Sequence, residues 1–284
     1  MSLLESLKKT ETQDKLVFLV LAICMAAPFI QPFGLPLEIS QPTRVCYETV
    51  QNLPKGSVVV ADTDMPLGNW YELGPGEIAF FNHVFALARE RGLKFVMLST
   101  MSNPDGQVIQ DKIVESYSDK TGLKYGEDYV RLGWNPAYET AQSGVVRDLH
   151  KTFPVDKFGT PIGNIPMMKN IRDIKNINLL YFSTGANADP YMRQWSELAT
   201  ANKVPILCNL MSGQIASVVP YVRNRQLTSY INSSVGAAEY EKLRGVKGMG
   251  LALMDAMSSA HFYAITLIFA GAILFATRRM RRAR

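Results

Sequence analysis

The chain has 284 residues, 47% of them hydrophobic, and a mean hydropathy of zero. That excludes a disordered chain and leaves room for one sizeable core plus membrane segments. The net charge of +5 sits in one place. The final segment RRMRRAR carries Arg278, Arg279, Arg281, Arg282 and Arg284, while Lys8, Lys9 and Lys15 near the start are offset by Glu5, Glu11 and Asp14. Between the tails basic and acidic residues balance, which excludes an electrostatic footprint for nucleic acid.

Residues 1–15 read as a short polar tail. Residues 16–37, LVFLVLAICMAAPFIQPFGLPL, carry no charge and are long enough to span a bilayer as helix. Pro28, Pro32 and Pro36 predict that the helix stops near Phe29 and that the chain leaves irregularly. A cleaved leader is the alternative, with a basic start and Met25-Ala26-Ala27 as a small-residue site, although Pro28 would follow the cut. A lipoprotein reading of Leu21-Ala22-Ile23-Cys24 puts Ile23 where a small residue is needed.

Residues 38–255 alternate strand-length apolar runs with helix-period segments. Strands are expected at 57–62, 94–100, 128–134, 177–184, 204–210 and 227–232. Helices are expected at 77–91 (closed by Gly92), 105–122 (Asp105 as N-cap, Gly122 as stop), 137–152, 189–203 (Asp189 as cap, Pro190 next), 212–225 and 236–244. Continuous apolar strands in this rhythm predict an α/β domain: three layers, a doubly wound, mostly parallel sheet covered on both faces. Residues 153–176 have Pro and Gly punctuation and no period, and predict a long loop excursion.

Residues 256–277, AMSSAHFYAITLIFAGAILFAT, form the second candidate span, followed by the basic tail 278–284. Arginine directly after the span is expected to stay cytoplasmic, and the N-terminal lysines put the other end on the same side. The domain 38–255 is then extracytoplasmic and the chain a two-span protein of the cell (inner) membrane. An apolar helix followed by Arg also resembles a removable sorting tail, but no recognition motif precedes it. His261 reads as an interfacial residue of the second span.

In a doubly wound sheet, ligands bind at the carboxyl ends of strands, where the order reverses. Those ends carry Asp62 and Asp64, Ser99 and Thr100, Ser183 and Thr184, and Asn209 with Ser212 as the candidate ligand-binding residues. Asp62 and Asp64 lie one residue apart on an extended segment and point to one side. They would suit Mg²⁺ or Ca²⁺, so a divalent cation is the cofactor that the pattern would take, if it takes one. The same residue types also serve as turn formers and helix caps. Asp62-Thr63-Asp64 with Thr100 is similar to the opening of haloacid-dehalogenase-like phosphatases. Pro66 departs from that pattern, strand 177–184 lacks the acidic pair that would complete the metal site, and Lys169 has no motif to mark it as the basic residue.

Other chemistry is less well supported. His83 and His150 lie in helical segments and read as structural, and no Gly-x-Ser-x-Gly elbow is present. LGPGEIAF (73–80) opens the expected helix and offers an anion site there, or Pro75 shapes a turn. Cys46 and Cys208 fall in the outer domain, where a disulfide is permitted, but Cys208 in the apolar strand VPILCNL reads first as a buried free thiol.

KYGEDYVRLGW (124–134), FPVDKFGTPIGNIPMMKN (153–170), SGQIASVVPYVRNRQLTSYINSSVGAAEYEKL (212–243) and MDAMSSAHFYAITLIFAGAI (254–273) resemble an uncharacterised family of prokaryotic membrane proteins. The resemblance covers most of residues 50–275 and implies the order anchor, outer α/β domain, anchor. It implies no activity, cofactor or catalytic residue.

With no complete catalytic set, the first expectation is a non-enzymatic scaffold or assembly subunit. Its partners are the lipid bilayer and membrane proteins or further copies of itself, without nucleic acid. Ala22/Ala26 and Ala272/Ala276 have the spacing that permits close helix contact. The alternative is a sensory or hydrolytic domain that binds a ligand or metal around Asp62 and Asp64.

Overall fold

The computed structural model describes residues 10–282, apart from the side chains of 10, 117–121 and 282, so Lys8, Lys9 and Arg284 lie outside the described residues. The chain divides into two compact units. One comprises 38–246, and the other the two ends, up to Leu37 and from Lys247.

The terminal unit is built from α1 (Thr10–Ile30) and α10 (Met249–Arg282). Stretches of 20 residues in α1 and 33 in α10 are long and apolar enough to cross a membrane. Phe18, Ile30, Phe262, Ile268 and Phe269 on these helices are exposed, as lipid-facing positions would be. As expected from its prolines, α1 ends one residue beyond Phe29. The second helix runs past its expected limits at both ends, and so takes Asp255 into its interior. That carboxylate is buried and accepts from the backbone N–H groups of Gly34 at 2.8 Å and Leu35 at 3.0 Å. A buried acid within an apolar helix is tolerable when its oxygens are filled in this way. Tyr263 donates to the Val17 carbonyl at 3.1 Å. Ala22, Ala26, Ala272 and Ala276 are exposed, so the small-residue spacings do not make the contact between the two helices.

The α/β unit has a six-stranded, all-parallel sheet of order β3-β2-β1-β4-β5-β6. The strands are β1 (Val58–Asp64), β2 (Lys94–Ser99), β3 (Tyr129–Trp134), β4 (Leu179–Thr184), β5 (Ile206–Leu210) and β6 (Ser229–Asn232). This is the doubly wound fold, with the order reversing between β1 and β4. Helices α2 (Gln41–Gln51), α3 (Trp70–Arg91), α4 (Asp105–Thr121) and α9 (Ser233–Leu243) cover one face. Helices α5 (Glu139–Arg147), α6 (Leu149–Thr152), α7 (Asp189–Asn202) and α8 (Ile215–Arg223) belong to the other. Alternation along each strand feeds both cores. Val59 and Ala61 pack with Phe80, Phe81 and Phe85, while Val58 and Val60 pack with Val145, Val146 and Trp195. Each large apolar side chain fully withdrawn from water stabilises the fold by roughly 1.5–3 kcal/mol.

Two expectations need correction, one helix was unannounced, and one open question is answered. The segment 153–176 is not an excursion, because it folds into short 3₁₀ turns whose Phe153, Ile162, Ile165, Met168, Ile171 and Ile174 are buried in the α5/α7-side core. Its apolar residues follow no helical period because each turn is only three to five residues long. The helix α2, unannounced by its polar sequence, buries only Thr43, Cys46 and Val50. Cys46 and Cys208 are free and belong to the cores on opposite faces, since Cys208 alternates with Leu207 along β5. They are therefore free thiols and not a disulfide, as the apolar setting of Cys208 leads one to expect. Finally, α3 starts at Trp70 and not at Glu77, so LGPGEIAF lies inside the helix and offers no helix start to an anion.

That last correction has a local cause. Pro75 cannot donate to Tyr71, and the Ser234 hydroxyl donates to the Tyr71 and Glu72 carbonyls, both at 3.2 Å. Asn209 reaches into the same turn and donates to the Leu73 carbonyl at 2.9 Å. Gly76 makes room for it: a Cβ there would lie 2.6 Å from Asn209 Oδ1. Gly76→Ala is expected to destabilise the unit by about 1–3 kcal/mol. Gly163→Ala, where a Cβ meets nothing within 4 Å, is expected to be neutral. Denaturant titration followed by tryptophan fluorescence checks both, and equal midpoints for the two variants would contradict the packing described.

Candidate functional site

The polar residues at the strand ends do not form one cluster. Strand alternation divides them between the two faces, and all are buried except Ser212.

On the α5/α7 side stand Asp62, Asp64, Thr100 and Thr184, at the point where the strand order reverses. Asp62 accepts from the Thr100 N–H at 3.0 Å and the Thr100 hydroxyl at 2.5 Å. The Thr100 hydroxyl also lies 3.4 Å from Tyr191 OH. Asp64 accepts from Thr184 at 3.0 Å. The two acids thus share a side, as their spacing predicts. Burial pushes the Asp62 carboxyl up to about 8, helped by the charge of Asp64 and opposed by the Thr100 hydrogen bonds. Burial pushes Asp64 up to about 6, against the pull of Thr184.

Tyr138 enters α5 beside them with φ 47° and ψ −115°, a conformation that a side chain normally disfavours. Burial first, then the charges of Asp64 and Glu139, push its phenol up. One turn further along α5, Gln142 is fully buried on the sheet-facing stripe it shares with Val145 and Val146. Neither its Oε1 nor its Nε2 has a hydrogen-bond partner.

On the α3/α4 side, Thr63 donates to Glu77 at 2.5 Å and Tyr181 donates to it at 2.7 Å. Gln110 donates to Thr63 Oγ1 at 2.9 Å and to the Leu98 carbonyl. Ser99 donates to the Thr63 carbonyl at 3.0 Å, and Asn209 to Ser183 at 3.1 Å. Glu77 is fully buried, and burial pushes it up to about 7 against the pull of Thr63, Tyr181 and Ser183. Ser212 stands apart, exposed, donating to Asn232 at 2.9 Å. Of the candidates, then, Asp62, Asp64, Thr100 and Thr184 come together, Ser99, Ser183 and Asn209 line the opposite face, and Ser212 joins neither.

Sequence reading missed Glu77, Gln110, Tyr138, Gln142, Tyr181 and Tyr191. Glu77 has a visible trace, an acid in the apolar run EIAFF. The others carry none.

The histidines are structural. His83 faces Tyr240 OH at 2.7 Å and Gln51 Oε1 at 2.9 Å, and burial, then Arg244 and Arg91, push it down to about 3. His150 Nε2 lies 2.9 Å from the Met168 carbonyl and 3.0 Å from that of Ile171. Among the described residues no group of three or more His, Cys, Asp or Glu is placed to hold a metal ion. A cation on Asp62 and Asp64 would therefore draw its remaining ligands from hydroxyls, amides or water. The phosphatase likeness weakens further, since the Thr100 hydroxyl is already given to Asp62.

No protein-family model matches the chain, and no curated protein matches it. Among solved structures it is similar at 11% identity and a TM-score of 0.20 to a dinucleotide-forming acetyl-coenzyme A synthetase 1 of Ca. Korarchaeum cryptofilum in its apo form. That match covers 81% of this chain and 59% of the other. The same synthetase with phosphate and ADP gives 11% and 0.20, covering 76% and 68%. The chain thus spans about three-fifths of the first of these structures, and likeness this slight carries no argument about fold or function.

The buried acids give the unit a definite pH response. Their folded pKa values lie above the unfolded ones, so their stabilisation is full below the ordinary carboxylate range. It is lost as pH rises through about 6 for Asp64, 7 for Glu77 and 8 for Asp62. His83 has the opposite sign, contributing above its ordinary value of 6.5 and fading below it. Between pH 6.5 and 8.5 the acids outweigh the remaining His83 effect, and stability is expected to fall with rising pH. The slope is about 1.4 kcal/mol per pH unit for each carboxyl still protonated. Thermal unfolding across that window checks this, with Asp62→Asn plus Glu77→Gln expected to flatten the slope. A midpoint that rises with pH would refute the protonated acids.

Proposed function

We propose that the protein is a membrane-anchored receptor domain that binds a small ligand where the sheet order reverses, between β1 and β4. The observation that carries this reading is the buried pair Asp62 and Asp64 with proton affinities pushed apart, beside the disfavoured backbone of Tyr138. Displaced acids in a fold's customary ligand crevice mark functional sites more often than chance. Asp62, closed in by Thr100 and protonated at neutral pH, positions the site. Asp64, nearer ionisation, supplies the charge that meets the ligand. Tyr138 covers the entrance.

The arginines at the carboxyl end of α10 and the lysines around the start of α1 support a topology with both ends in the cytoplasm and the domain outside it. The self-contained hydrogen bonding on the α3/α4 face favours a second reading, in which the domain is a scaffold for membrane-protein neighbours or for further copies and the polar network only stiffens it.

A thermal-shift screen of the detergent-solubilised chain against metal ions, amines, polyols and nucleotides tests the first reading. A stabilising ligand is expected whose effect disappears in Asp64→Asn. Tyr138→Gly, which relieves the backbone, is expected to hold or raise the melting temperature while weakening that ligand at least tenfold. A hit untouched by either change would place binding elsewhere. The scaffold reading fails if the chain runs as a lone monomer at every concentration in a gentle detergent. For topology, single cysteines in α4 or α8 are expected to react with an impermeant maleimide added to sealed cells. Labelling only after lysis would invert the orientation.

A further inference from the structure

The sign of the ligand can be argued from what surrounds the proposed site. The connections from strand end to helix start, 65–69, 100–104, 135–138, 185–188 and 211–214, contain no Lys, Arg or His. The helices that follow β1, β2, β3 and β4 each carry an acid in the first turn, where a phosphate would otherwise be received: Glu72, Asp105, Glu139 and Asp189. Asp105 already accepts from the Leu67 N–H at 3.1 Å and Glu72 from the Ser212 N–H at 3.1 Å, so these two loop amides are not free to cradle an anion. The cation nearest Tyr138 that acts on it, Arg193, is paired with Glu139 at 2.8 Å. Gly74-Pro75-Gly76-Glu77-Ile78-Ala79 spells a dinucleotide-loop pattern in letters, yet it lies buried within α3 and meets Asn209.

An acidic edge alone would not identify a site. Gln142 supplies an independent observation. Its amide is fully buried with both ends unpartnered, on the stripe of α5 that packs against the sheet. α5 begins at the carboxyl edge of β3, and Gln142 precedes Val145 and Val146, which pack on Val60 and Leu98. Asp62 and Asp64 continue the side of β1 that carries Val60, towards the same edge. Trp195 donates to the Gln142 carbonyl at 2.9 Å and packs its ring at 4.9 Å from that of Tyr191, whose hydroxyl reaches Thr100 beside Asp62. The unfilled amide therefore belongs to the quarter of the core that holds the acid pair.

We propose that this site takes a small cation, an ammonium group or a metal ion, held by Asp64, Asp62 and the Gln142 amide oxygen, and that it has lost the phosphate recognition its strand order would otherwise suggest. The inference rests on the binding reading above. A cation satisfies Gln142 Oε1 directly. The Gln142 amide N–H groups then have carboxylate oxygens to donate to. The ligand must be small, because Asp62 is fully buried and Asp64 only 4% exposed.

The test uses the full chain in detergent at pH 7.5. Calorimetry and thermal shift are run with MgCl₂, CaCl₂ and methylammonium chloride as separate arms. Choline chloride controls for ionic strength, and inorganic phosphate, ADP and glycerol are the comparators. Saturable stabilisation by one cation arm, and none by phosphate or ADP, is expected. Asp64→Asn should remove it and Gln142→Leu should weaken it at least tenfold, both variants keeping a cooperative melt. Asp64-dependent binding of phosphate, ADP or glycerol would overturn the cation and leave the site standing. No stabilisation by any probe, together with a Gln142→Leu variant more stable than the parent, would mean an ordered water only and overturn both.

Discussion

A carboxyl group withdrawn from water without a cation beside it holds its proton more tightly than in solution, and three such groups flank β1 in this fold. Asp62 and Asp64 lie on one side of β1 and Glu77 meets its other side through Thr63, and none has a lysine or arginine partner among the hydrogen bonds described. Hydroxyls and amides take the place of charges. Thr63, Thr100, Thr184 and Tyr181 each give a proton to an acid. Such a network is costly when half filled and stiff when complete. On the α3/α4 face Glu77 has two donors and its neighbours are satisfied apart from Asn209 Oδ1. On the α5/α7 face Gln142 is left over. The difference between the two sides of one sheet separates a structural network from a candidate site.

The backbone around these groups is shaped to admit them. α3 contains Gly74, Pro75 and Gly76 where a helix would ordinarily hold alanine or leucine, and each substitution has a counterpart. Pro75 gives up a donor, Ser234 fills the vacant acceptor, and Gly76 lets the Asn209 amide lie against the helix. Glu77 follows immediately and meets Thr63 and Tyr181. The proline site in the helix and the buried acid two residues on are thus packed by neighbouring groups of one region.

Much of this architecture was legible in the sequence, because continuous Val/Ile/Leu runs and helix caps are local properties. The six strands, the parallel sheet and the two apolar terminal helices all follow from them. The carboxyl-edge position of Asp62 and Asp64, and their common side, follow from period two. What was hidden is non-local. Nothing near Ser183 or Asn209 reveals that alternation turns them away from Asp64 while Thr184 faces it. Tyr138 has no turn residue to announce its positive φ. LGPGEIAF looks like punctuation because the groups that repair the helix, Asn209 and Ser234, lie far off in sequence. The 153–176 segment conceals its burial for a different reason: successive 3₁₀ turns bring isoleucine and methionine inward with no constant spacing.

The strand order β3-β2-β1-β4-β5-β6 puts a crevice where nucleotide phosphates commonly lie, and here chemistry and topology part. A phosphate needs free N–H groups, a glycine close to the backbone and a positive potential. This edge supplies acids at four helix starts, two of which already take a loop amide, and two carboxyls at the end of β1. Adding a dianion would set it against unscreened negative charge in a medium of low polarity, where repulsion is several times stronger than in water. Adding a cation does the reverse: it meets the charge of Asp64 and favours release of the Asp62 proton. The same groups that make the fold less stable at high pH would then make it bind more tightly there.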